Sequence, residues 1–102
     1  MHDLILPPEF KKACRNLGQN IGYEQPPLET LIMYALSGLD RHDALVIRKF
    51  LVGKLLTTQF DDAALQEIWW STPASIYFHD GAQLRSFLTL LKAALERPPY
   101  LE

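Results

Sequence analysis

The chain has 102 residues, 48% of them hydrophobic and 22% charged, with a formal charge of −2 and a pI near 5.9. That supplies one hydrophobic core and leaves no room for a second, so residues 1–102 are expected to form a single domain with loose ends at about 1–6 and 97–102. The slight acidity gives no general attraction to nucleic acid or an anionic membrane. No apolar run approaches the roughly 20 residues that span a bilayer, and the run 4–6 falls short of a signal-peptide core of about 7–15 residues.

Taken in order, Pro7 and Pro8 lead into a first helix. Phe10, Ala13, Cys14 and Leu17 share one face of it, while Glu9, Lys11, Lys12 and Arg15 take the solvated side. Gly18 ends it. Pro26 and Pro27 open a second helix, in which Leu28, Leu31, Ile32 and Ala35 face inward and Gly38 provides the terminating glycine. Met33 and Tyr34 are apolar as well, which suggests a helix covered on more than one side.

Asp40 is placed to cap a third helix over about 41–56, with Asp43 in its first turn. Ala44, Ile47, Leu51 and Leu55 form its stripe, Val46 and Phe50 an adjoining one, and Arg48, Lys49 and Lys54 its wet side. This helix is expected to be the central one. Gly53 within it costs up to about 1 kcal/mol against alanine, so it implies close packing or an early end.

Phe60 and Asp61 read as a hydrophobic staple onto Leu65 and an N-cap, starting a fourth helix over about 62–71. It turns Leu65, Ile68 and Trp69 to one side and leaves Gln66, Glu67 and Trp70 on others. Pro73 ends it, and residues 71–79 form an extended or irregular link pinned by Ile76 and Phe78. Asp80 then caps the last helix, with Gln83 as its capping-box partner. Leu84, Phe87, Leu88, Leu91 and Leu95 recur at the spacing that aligns them on one face, with Arg85, Thr89 and Lys92 opposite. No convincing strand is present. The class is all-α: about five helices in one compact domain, an antiparallel bundle or an orthogonal array.

Few residue types capable of catalysis are available. His42–Asp43 and His79–Asp80 repeat a dipeptide that can be imagined as two halves of a metal site, but such a centre needs more ligands than four, and only His2 remains in reserve. Asp80 is better read as a cap and His79 as a loop residue. Cys14 is the only cysteine; it cannot form an intrachain disulfide, and its place on an apolar face suits a small core residue better than a nucleophile. Phosphate loops, zinc spacings and nucleophile elbows are absent from the sequence. No catalytic residue, cofactor or metal is therefore expected, and the cytoplasm is the expected compartment.

The adjacent tryptophans carry more information. Neighbouring helical positions differ by about 100°, so Trp69 and Trp70 cannot both enter one core. Trp70 either lies shallow, as a contact residue would, or packs beneath the link. Acidic residues gather at helix starts, which capping explains; if those ends converge, they also make a negative patch.

The run LQEIWWSTPASIYF at 65–78, followed by DGAQLRSFLTLL, resembles the C-terminal half of the small bacterial immunity proteins that accompany contact-dependent growth inhibition toxins. The resemblance covers roughly the second half of the chain. It implies a non-enzymatic protein whose partner is the C-terminal domain of a cognate toxin, often a nuclease, with neither nucleic acid nor membrane as direct partner. It supplies no catalytic residues, and toxin-contacting positions vary between pairs. Asp61, Asp62, Glu67, Trp70, Tyr77, His79 and Asp80 are the candidate contact residues. Two other readings are a small regulator using Arg41, Arg48, Lys49 and Lys54 on a DNA-binding helix, and a helical adaptor subunit.

Overall fold

The computed structural model describes residues 5–17, 27–57, 60–72, 74, 78, 80–97 and 100. Five α-helices follow one another: α1 (Pro8–Arg15), α2 (Leu28–Leu36), α3 (Arg41–Phe50), α4 (Asp62–Trp70) and α5 (Gly81–Leu95), and no strand occurs among the described residues. The all-α class expected from the pattern is what the chain adopts.

Local signals set most of these boundaries. Pro8 occupies the start of α1, where a missing N–H costs nothing. Asp40 and Asp43 form a reciprocal capping box on α3: the Asp43 amide donates to Asp40 Oδ1 at 2.8 Å, and the Asp40 amide donates to Asp43 Oδ2 at 3.2 Å. Asp61 and Asp80 each accept a backbone N–H at 2.8 Å, from Ala64 and Gln83. Gly38, with φ +76°, turns the chain out of α2 in the left-handed conformation that only glycine adopts without strain.

The stripes close over one interior. Phe10, Leu31, Ile47, Leu65, Ile68, Leu84, Phe87 and Leu91 are almost wholly buried in a single cluster to which every helix contributes. The centre of that cluster is α5, not α3 as the length of the third pattern suggested: α5 packs on α2, α3, α4 and the turn after α3. Its buried stripe runs its full length, so α5 can meet neighbours all along one side.

Two further expectations change. The third helix is α-helical only to Phe50 and then widens into a π-helical turn, Leu51–Leu55, closed by a bond from the Leu56 amide to the Leu51 carbonyl at 2.7 Å. Gly53 sits in that turn with open space where a Cβ would be, so it marks the early end of the α-helix and not a close approach. On α2, Met33 is 72% exposed and Tyr34 also faces solvent, so this helix is covered on one side only. Leu6 is buried in the core and Tyr100 packs partly against it.

Helices α4 and α5 run side by side from a common end. Gly81 abuts Asp62 where both start, and the Trp69 ring lies 5.8 Å from Phe87 two turns further along. The segment between them therefore returns the chain to the starting end. Thr72, Ala74 and Phe78 of that segment are buried. Ile76 lies outside the described residues.

Candidate partner-binding surface

One turn of α4 decides the fate of the two tryptophans. Leu65, Ile68 and Trp69 project inward, and Trp69 is 4% exposed, held edge-on by Phe78 at 5.4 Å as well as by Phe87. Trp70 lies 100° further round and is 57% exposed. Ala63 and Glu67 share its outer stripe and are likewise exposed. Of the two positions open to Trp70, the structure takes the solvent-facing one.

The other end of α4 is acidic. Because Gly81 abuts Asp62, the starts of α4 and α5 come together, and Asp61, Asp62 and Asp80 become neighbours, all three exposed. Each carboxylate has a local task. Asp61 and Asp80 cap, and Asp62 accepts a bond from Arg85 Nε at 2.9 Å. Arg85 Nη2 also donates to the Phe60 carbonyl at 2.9 Å, so a single guanidinium ties the start of α4 to α5. Three carboxylates stand against that one cation, which leaves this end negative.

Five of the seven expected contact residues thus lie along α4 or beside its start. Asp61, Asp62 and Asp80 mark its beginning, Glu67 its outer middle and Trp70 its end, about 12 Å of helical rise beyond Asp62. Tyr77 and His79 lie outside the described residues. Two residues that matter here were not singled out by the sequence pattern. The pattern puts Arg85 on the solvated side and gives no reading of Gly81. A glycine where alanine would favour the helix was the available signal for Gly81.

Elsewhere the polar groups do structural work. Lys12 Nζ donates to Asp43 Oδ2 at 3.0 Å, and that bond holds the Asp43 carboxyl below the usual carboxylate range. His42 Nε2 stands 3.5 Å from Glu9 on the exposed rim of the same helix pair. Among the described residues no three His, Cys, Asp or Glu side chains converge as metal ligands would. Burial pushes the Cys14 thiol up to about 12, against a smaller opposing effect from its hydrogen bond with Thr72, so at neutral pH it carries its proton and behaves as a core residue. Of the cations considered for DNA contact, Lys49 and Lys54 are exposed and Arg48 is half-buried. No helix among the described residues is long and apolar enough to cross a membrane.

No protein-family model matches this chain, and neither the curated proteins nor the solved structures provide a match to it.

Proposed function

We propose that this protein is an immunity protein, which binds a cognate toxin domain and neutralises it by covering its active site or substrate groove, the toxin being a nuclease. The observation that carries the reading is Trp70: a tryptophan more than half exposed, opposite the buried stripe of its helix, on the same outer face as Glu67 and one helix length from the acidic end. Tryptophan is enriched among residues that dominate interface energies, and a negative rim suits a groove built to hold nucleic acid. The molecule exposes 6189 Å², so a standard footprint of about 800 Å² takes roughly an eighth of it. A partner of that size would fit along α4 and the starts of α4 and α5.

The test is co-expression with the toxin encoded beside this gene. Growth restored by this protein is the expected result, and arrest that continues undiminished would overturn the reading. Trp70→Ser is expected to weaken toxin binding about tenfold or more, equivalent to at least about 1.4 kcal/mol, while the circular dichroism spectrum of the variant stays that of the parent.

A further inference from the structure

A groove between α2 and α5 is independent of the Trp70 surface. Its floor is apolar, formed by Ile32 on α2 and by Leu90, Ala93 and Ala94 on α5. Leu90 is 40% exposed, and Met33, one turn beyond Glu29, extends the apolar surface over the top of α2. The two walls carry opposite charges: Glu29 stands on α2 and Arg97 just past the end of α5. Both line the same groove, yet they form no ion pair with each other, and among the described residues neither has another charged partner.

We infer that this groove is the interface of a homodimer, in which the α2–α5 face of one copy meets the same face of a second across a two-fold axis running along the groove. The argument is one of self-complementarity. In a two-fold interface each residue meets the counterpart of its own opposite wall, so a patch pairs with itself only if its two sides match. An axis along this groove carries α2 of one copy over α5 of the other. Glu29 then faces Arg97 of the second copy, and the reciprocal pair forms at the same time. Ile32 then meets Ala93 and Ala94 across the middle and Leu90 extends the apolar contact beyond them, giving a four-helix layer with an apolar centre and the two charge pairs flanking the axis at one end. An apolar partner lacking charges would leave Glu29 and Arg97 without counterparts, and a partner of one net sign would repel one of them.

Sedimentation equilibrium over about 1–500 µM tests this. The wild type is expected to show a monomer–dimer equilibrium, and Leu90→Arg to weaken it at least tenfold. E29R and R97E each place like charges across the axis and should each be monomeric over that range, with unchanged circular dichroism. An equimolar mixture of E29R and R97E should dimerise again, because each altered position then meets an opposite charge. A wild type that stays monomeric at the highest concentration would overturn the inference. So would a dimer unaffected by Leu90→Arg, one abolished instead by Trp70→Ser, or a mixture that fails to re-form. Leu90 also lines a shallow pocket with Asp62 and Arg85, so the separation from the toxin-binding reading rests on E29R and R97E, whose positions lie outside that pocket and away from Trp70.

Discussion

The pair α1–α3 and the pair α4–α5 are held in different ways. Between α1 and α3 there is one ring contact, Phe10 on Phe50 at 5.1 Å, and the rest of the rim is polar: Lys12 on Asp43, and Glu9 facing His42. Asn16, just after α1, adds two bonds to backbone carbonyls at the end of α2, Ala35 at 3.1 Å and Ser37 at 2.8 Å. Between α4 and α5, three rings pack mutually at 5.1 to 5.8 Å, and the starts of the helices touch with no side chain between them at Gly81. Both pairs bury an apolar seam, to which the second adds close shape and the first a rim of adjustable charge. Substitutions that change volume should therefore damage α4–α5 most, and changes of pH should reach α1–α3.

The largest contrast lies within two consecutive residues. Trp69→Ala empties the space shared with Phe78 and Phe87 and is expected to cost about 3–5 kcal/mol, whereas Trp70→Ala removes an exposed ring and should stay within about 0.5 kcal/mol. Urea denaturation of both variants measures the difference. Equal losses would mean that α4 is rotated from the arrangement described.

Next in size is Gly81→Ala. An added Cβ would overlap the Asp62 side chain and backbone, so the two helix starts must separate. Overpacking of this kind costs about 1–3 kcal/mol, although alanine is the better helix former elsewhere. Gly53→Ala is the control. Its Cβ meets nothing, so denaturation should show no comparable loss.

These two glycines mark where the sequence was legible and where it was not. Caps depend on neighbours within three residues, and Asp40, Asp61 and Asp80 cap as their local patterns predict. Buried stripes depend on helical period, and all five apolar residues assigned to α5 are buried. The approach of Gly81 to Asp62 joins positions nineteen apart through a chain reversal, and no local period encodes it. The same holds for Lys12 with Asp43 and Arg85 with Asp62, whose charges looked solvated because their partners came from other helices. At the candidate surface, an exposed Trp70 followed from 100° geometry as one of two possibilities. The gathering of the acidic residues needed the α4–α5 arrangement.

A smaller effect, on the α1–α3 side, concerns acid. The folded-state pKa of Asp43 lies below its ordinary value because Lys12 and the Asp40 amide bond its ionised form. Its contribution is therefore complete above the unfolded-state value near 3.9 and is lost as pH falls through the lower folded-state value. Asp43→Ala should lower stability by about 1 kcal/mol at pH 7, the cost of losing one half of the capping box, and flatten the fall of stability as pH drops below about 4. Denaturation curves at several pH values check both; an unchanged slope would assign the acid sensitivity to other carboxylates.

The smallest expected change sharpens the comparison from the α4–α5 side, where charge does enter, through Arg85. Its fork makes two bonds at once, Nε to Asp62 and Nη2 to the Phe60 carbonyl, and a lysine ammonium in that place cannot reproduce both directions. Asp62 is about half exposed, so solvent screens the pair and Arg85→Lys should cost only about 0.2–1 kcal/mol. Raising salt to about 1 M contracts the screening length to about 3 Å and should shrink the gap between wild type and Arg85→Lys, yet leave the cost of Gly81→Ala unchanged. If salt instead erased the Gly81→Ala penalty, the contact between the helix starts would be electrostatic in origin, and the division between a shaped pair and a charged pair would fail.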